Sequence, residues 1–184
     1  MATILAVLLI ACCAGAYVFL AHYEPFRQVG DGFSGNAIRV EATAVSNGYL
    51  RIPYQENGGF AFSVLLWNDG RFPVTVEDAG RIPQRGGPSL FHTSDVDLYL
   101  SPNGGTVPFD SEALTPFRPV TIEPSMGVYL VYRGRLRGCI DFDPGTTVGY
   151  DTITIRTRAF FVDHTVEIPL NMGLLFEAPS TCSE

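Results

Sequence analysis

The stretch FSVLLWNDGRFPVTVED, residues 62–78, decides how the fold of this chain is interpreted. Two apolar runs flank the polar segment NDGR at 68–71. Asn and Asp side chains bond their own downstream backbone and Gly70 accepts positive φ, so this segment predicts a turn between two strands. Alternate residues of a strand share a face. The predicted core residues are Phe62, Val64, Leu66, Val74 and Val76.

Trp67, the only tryptophan, has the opposite parity and should cover the other face of the sheet or mark a contact surface. The densest cationic site is RGRLR, with Arg133, Arg135 and Arg137 at alternate positions. These arginines suit either a solvated strand edge, where charge deters pairing, or a contact for an acidic partner. Trp67 and the three arginines are the candidate partner contacts.

Short alternating runs continue after residue 37, each bounded by Gly, Pro, Asn or Asp. A sustained helical period is absent after residue 22, and about seven to nine strands are expected, so the fold class is an all-β, antiparallel β-sandwich. Asp163 and His164 are interpreted as the turn before one of the last strands. The predicted strands are 37–46, 60–67, 73–77, 95–100, 119–122, 128–133, 152–161, 165–170 and 174–176.

The N-terminal segment 2–21 holds no charge and no proline. Its twenty residues would span about 30 Å as a helix, the thickness of a bilayer core. We interpret residues 1–22 as one transmembrane signal anchor. LIAC at 9–12 resembles a lipobox with Cys12 as the lipidated residue, and a cleaved signal peptide is the other alternative. The absence of basic residues before the apolar run disfavours both.

Residues 23–36 are polar and Gly-rich and are interpreted as a linker, with the β-sandwich domain over 37–184. Only Cys139 and Cys182 belong to that domain, as a disulfide or as two separate thiols. A bridge would close a loop of about 43 residues, worth on the order of 4 kcal/mol, and persists only outside the cytosol. We therefore expect a single-pass protein of the cell membrane with its domain on the extracytoplasmic side.

Composition excludes several functions. The net charge is −7, and all twelve basic residues are arginine. Without a basic patch the chain is a poor nucleic-acid binder, and without lysine it has no Schiff-base chemistry. The sequence lacks GxSxG, HExxH, CxxC and phosphate-loop motifs. We therefore assign no catalytic residue, no metal ligand and no cofactor.

Histidines and acids offer only weak metal sites. His92 precedes Asp95 and Asp97 in FHTSDVD, a spacing that lacks a second nearby histidine and is typical of a loop leading into a strand. The acids of DFD at 141–143 share a face, but Pro-Gly follows them directly. That sequence is typical of a surface turn rather than a calcium or hydrolytic pair.

The stretch FSVLL, then NDG, then PVTV resembles a pattern of bacterial extracytoplasmic immunoglobulin-like domains. Membrane-anchored proteins of GC-rich Gram-positive bacteria are similar in layout, with one N-terminal helix, one such domain and a late cysteine pair. The resemblance implies an immunoglobulin-like sandwich in the cell envelope and implies no activity. The region 81–116 departs from the pattern because it is long and Gly/Pro-rich, which suits an inserted hairpin or binding loop.

Three classes of function follow from these features. The first is a non-enzymatic, membrane-anchored accessory module that acts by interaction with a protein partner in the membrane or envelope. The second is an extracytoplasmic metal-handling or assembly factor that uses His92, His164 and neighbouring acids. The third is an envelope hydrolase, for which no residue is nominated.

Overall fold

The computed structural model describes residues 2–34, 49–53, 58–81, 91–101, 109, 112–136 and 147–177. One helix precedes ten strands in these residues. The elements are α1 (Ala2–Ala21), β1 (Phe26–Ser34), β2 (Tyr49–Pro53), β3 (Gly59–Asn68), β4 (Val74–Arg81), β5 (Phe91–Ser101), β6 (Thr115–Pro116), β7 (Val120–Ile122), β8 (Gly127–Leu136), β9 (Thr147–Ala159) and β10 (Val162–Glu177).

The strands form two five-stranded sheets. Sheet A has the order β1-β3-β8-β5-β6, and sheet B has the order β2-β10-β9-β4-β7. Their strand pairs are antiparallel except for β2, which pairs in parallel with β10. The prediction of a mostly antiparallel β fold after an apolar helix is confirmed.

The hydrophobic core lies between the two sheets, because a single cluster of buried residues draws on strands of both. Phe62, Val64 and Leu66 of β3 contribute to it together with Val76 of β4, and Val74 is also buried. The alternation in the opening stretch therefore predicted the core faces of both strands. Strand β3 is also buried on its second face between Phe62 and Leu66, as its continuous apolar run indicates.

Tyr132 connects the two sheets through the middle of the core. Its ring stacks on Phe62 with centroids 4.8 Å apart, and its hydroxyl donates a 2.7 Å hydrogen bond to the carbonyl of Ala79 in β4. Burial raises the pKa of the Tyr132 phenol far above its usual range, and the charge of Asp78 adds to the effect.

The segment 68–71 is a turn, as predicted, and Asn68 organises it. Its side-chain oxygen accepts from the backbone N–H of Gly70 at 2.9 Å. Gly70 does not use its freedom to adopt positive φ, because its φ lies outside that region. Glycine is required there by close approach: a Cβ would overlap the Tyr23 hydroxyl and lie 2.5 Å from the Cβ of Pro25.

Two other sequence interpretations differ from the structure. Residues 26–34 lie within the expected linker, yet they form β1, which pairs with β3 along its length. The last hairpin turns at Phe160 and Phe161, whereas Asp163 and His164 already pair with β9. The hydrogen-bonded ladder between β9 and β10 overrides the turn propensity of Asp and His.

Helix α1 is long and apolar enough to span a membrane. Its side chains from Thr3 to Phe19 are exposed, so it is not a core helix of the β domain. His22 donates from Nδ1 to the carbonyl of Val18 at 2.9 Å and satisfies one of the last free carbonyls of the helix.

Several sequence predictions concern residues outside the described ranges. They are the strand at 37–46, the carboxylates Asp141 and Asp143, the cation Arg137, and the cysteines Cys139 and Cys182.

Candidate functional site

Trp67 lies on the outer face of sheet A, opposite the core, and is half-buried. Its indole covers Gly127 of β8, where an added Cβ would lie 2.7 Å from the indole Cε3. Tryptophan therefore covers the second face of the sheet, which is one of the two roles that its parity predicted. The same added Cβ would lie 2.9 Å from Leu65, so both side chains depend on glycine at position 127.

The predicted arginine site contains, among its described residues, one arginine that is paired within the domain and one that is exposed. Arg133 Nε contacts Asp97 Oδ2 of the neighbouring strand at 2.8 Å, and its guanidinium also donates to the carbonyl of Phe109 at 3.2 Å. Arg133 thus holds Phe109 against sheet A. Arg135 lies on the same face of β8 and is exposed, so it is the described arginine of this run that remains accessible.

The outer face of sheet A carries a second apolar cluster. Leu65, Tyr129 and Val131 are buried there, and Tyr99, Phe109 and Leu114 pack against them. Burial raises the pKa of the Tyr129 phenol, with a smaller effect from neighbouring Tyr99. A solvated sheet face would be polar. This face is therefore built to contact other groups, and Phe109 and Leu114 contribute part of the cover.

A largely apolar groove of about 620 Å³ lies where this face meets the edge strands of both sheets. Leu100 is its most exposed apolar side chain, at 61%. Among the described residues that line it, Arg118 is the charged one. The groove is lined by Leu98, Tyr99, Leu100, Ala113, Thr115, Pro116, Arg118, Pro119 and Val120.

Among the described strands, none pairs with the groove side of β5 beyond Leu98. Strand β6 pairs only with Asp97 and Leu98, and the carbonyls of Val96 and Leu98 accept from Phe117 N and Thr115 Oγ1 at 2.9 and 3.4 Å. Backbone groups of alternate residues point to the same edge. The N–H and C=O of Leu100 therefore face the groove. On this edge of β5, opposite the edge that pairs with β8, no described strand pairs with Leu100.

The metal candidates lie in different sheets, with His92, Asp95 and Asp97 in sheet A and His164 in sheet B. His92 and Asp95 lie in β5 rather than in a loop, and their side chains lie outside the described set. His164 is half-buried in β10, and its Nε2 has no hydrogen-bond partner among the described residues. The part of the chain that the structure describes contains no group of three or more His, Cys, Asp or Glu side chains able to hold a metal ion.

Comparison with known proteins gives no family. No protein-family model matches the chain, and no curated protein matches it either. A solved structure described as a family 123 glycoside hydrolase from Clostridium perfringens is similar at a TM-score of 0.37 and 12% identity. The match covers 83% of this chain but only 28% of the hydrolase chain. A similarity this distant carries no argument for or against hydrolase activity.

Proposed function

We propose that this protein is a non-enzymatic interaction module anchored in the cell membrane by α1, with an immunoglobulin-like domain that binds a segment of a protein partner. The observation that carries the proposal is the open edge of β5 inside an apolar groove. An extended segment that lies along Leu100 would add a strand to sheet A, and its apolar side chains would enter the groove.

The anchoring part of the proposal is supported by the helix itself. Residues 2–21 contain no charge, and the helix exposes nearly all of its side chains. Such a helix is unstable in water but suits a bilayer core. The partner is therefore sought among proteins of the membrane or the envelope.

The immunoglobulin-like class is supported by two facing sheets and by the asparagine-centred turn between β3 and β4. We place the domain on the extracytoplasmic side because Cys139 and Cys182 can form a bridge only in an oxidising compartment. Protease added to intact cells should then cleave the domain. Complete protection of the domain in intact cells, with cleavage after lysis, would place it in the cytoplasm instead.

Site-specific photo-crosslinking tests the groove. A photoreactive residue at Arg118, on the groove wall, should give a protein adduct in native membranes. The same residue at Glu167, exposed on the outer face of sheet B, is the matched control and should not. Leu100→Pro removes the edge N–H, which an edge strand tolerates, and should abolish the Arg118 adduct. Equal adducts at both positions, or an adduct that survives Leu100→Pro, would contradict the proposal.

A further inference from the structure

One end of the β domain, which we call the helix-side end, lies directly beside the end of α1. It comprises the β3–β4 turn, the β7–β8 turn, the β9–β10 turn and the start of β1. Strand register places them together, because Phe26 pairs with Asn68, Gly127 pairs with Trp67, and Arg158 pairs with Thr75. All these residues are the first or last few of their strands.

The helix is held close to this end. Only residues 22–25 separate α1 from β1, a distance of at most about 14 Å when extended. Phe72 N–H donates to the Tyr23 hydroxyl at 3.1 Å, and Asp69 N–H donates to the carbonyl of Pro25 at 3.0 Å. The connection therefore packs on the β3–β4 turn instead of extending freely into solvent.

Exposed apolar side chains concentrate at the helix-side end. Outside α1, six large apolar residues are exposed in the described part of the chain, and all but Met172 lie here. Leu100 belongs to this set because it pairs with Val128 beside the β7–β8 turn. Large exposed apolar surfaces mark sites of contact with proteins or membranes. These residues and their exposed fractions are Phe72 (37%), Leu100 (61%), Met126 (36%), Phe160 (56%) and Phe161 (76%).

The aromatic members form a continuous line from the helix to the hairpin tip. Ring centroids are 5.6 Å apart between Phe19 and Tyr23, 5.8 Å between Tyr23 and Phe72, and 5.2 Å between Phe72 and Phe160. Phe19 lies in the last turns of α1, so a bilayer that contains α1 reaches the level where this line begins.

The hairpin tip keeps its two phenylalanines in an unfavourable turn. Phe160 has a φ of 56°, a conformation that bulky residues rarely adopt and that glycine adopts easily at the first position of a two-residue hairpin turn. Backbone strain of this kind is typical of functional positions. A turn selected for stability alone would not place phenylalanines at this tip, so the stability of the turn does not account for the exposed Phe161.

Electrostatic attraction to anionic lipid does not account for the exposed apolar residues at the helix-side end. Arg27 contacts Asp69 at 2.7 Å, and Arg158 contacts both Asp163 at 2.7 Å and Glu77 at 3.0 Å. Arg27 and Arg158 are thus matched by acids, and exposed Arg71 of the β3–β4 turn does not by itself form the basic cluster that an anionic surface would attract. The surface suits the apolar and polar boundary layer of a neutral bilayer, where aromatic rings accumulate.

We propose that Phe72, Phe160 and Phe161 enter the interfacial layer of the membrane leaflet from which α1 emerges. The helix and the hairpin tip then hold the domain at two separate points, which fixes its orientation on the membrane. The groove at Leu100 opens near the same end and would face a partner close to the bilayer surface. This inference rests on the membrane anchoring in the proposed function and concerns a different surface from the groove.

Lipid quenching tests the inference on the full chain in phosphatidylcholine vesicles that carry a spin label near the headgroup. Phe161→Trp should be quenched. Thr147→Trp, at the opposite end of β9, is the matched control and should stay at the level of the parent chain. Trp67 is present in both variants and provides the same background. The quenching at position 161 should persist in high salt, because apolar contact rather than charge causes it.

A second variant separates insertion from folding. Replacing Phe160-Phe161 by Gly-Asn puts glycine at the position of positive φ and should preserve the circular dichroism spectrum. In this background Phe72→Trp should lose its quenching by the lipid label. If the chain resists alkaline carbonate extraction but the tryptophans at 161 and 147 are quenched equally, the membrane anchoring stands and the insertion of the hairpin tip is refuted. Release of the chain by carbonate would overturn the membrane anchoring and the inference with it.

Discussion

Replacing Asn68 by Ala should destabilise the domain strongly, although the residue lies in a turn. Its side chain is fully buried. The amide nitrogen donates to the carbonyls of Phe72 and Ile122, each at 2.9 Å, and the amide oxygen accepts from Gly70 N–H at 2.9 Å. One side chain thus satisfies three backbone groups and connects the β3–β4 turn to the end of β7.

The expected loss follows from these three bonds. A typical intramolecular hydrogen bond contributes about 1 kcal/mol, and a buried group left unpaired costs about 1–3 kcal/mol. The Ile122 carbonyl would be left without its buried partner. We expect the free energy of unfolding to fall by about 3 kcal/mol, a large share of the roughly 5–15 kcal/mol that stabilises a domain.

Urea unfolding of the full chain in detergent micelles measures this loss, followed by circular dichroism and by the fluorescence of Trp67. Asn171→Ala is the matched control, because Asn171 is exposed in β10 and its substitution should change stability little. A loss at Asn68 below about 1 kcal/mol, or equal to that at Asn171, would refute the role of the buried amide.

Two further predictions concern sheet contacts. Tyr132→Phe removes the bond to Ala79 and should lower stability by about 1 kcal/mol at neutral pH. Because burial raises the pKa of Tyr132 in the folded state, the parent chain keeps this contribution below about pH 10 and loses it as the pH rises further. The free energy of unfolding, measured with urea at several pH values, should therefore decline less steeply with alkaline pH in the variant than in the parent. Identical declines in the two chains would contradict the burial argument. Arg133→Glu should lower the free energy of unfolding by about 2 kcal/mol, because it places a carboxylate against Asp97. Arg135→Glu, at an exposed position, should change it by less than about 0.5 kcal/mol in thermal melts. Equal losses in the two variants would show that the Arg133–Asp97 ion pair contributes nothing.

The strands with strong alternation were predictable, and their pairing was not. The runs around Val76 and Ile155 have a period of two, and the run around Phe62 is apolar on both parities; each is a strand that contributes to the core. Strand β1 escaped prediction because FRQVGDGFS contains two glycines and only isolated apolar residues. Its strand conformation depends on the ladder with β3, which lies far away in sequence.

The candidate groove was only partly foreseeable. The long Gly/Pro-rich region after residue 81 suggested an inserted hairpin or binding loop, and Ala113, Thr115 and Pro116 of that region do form part of the groove wall. The opposite wall at 118–120 was predicted only as the start of a strand at 119–122, without any sign of a binding site. The arginine run was a visible cationic motif, but its first member pairs with Asp97 across a strand interface that local sequence does not specify.

By itself, the sequence determined the apolar helix, the alternating strands and the polar turn at 68–71, because each depends on a short period or on a few adjacent residues. Only the tertiary structure decided that Tyr23, which follows the helix, packs on this turn. It also decided that Phe72 contacts Phe160 of a hairpin almost ninety residues later in the chain. The physical reason is that side-chain parity is local, whereas the grouping of turns at one end depends on the register of paired strands.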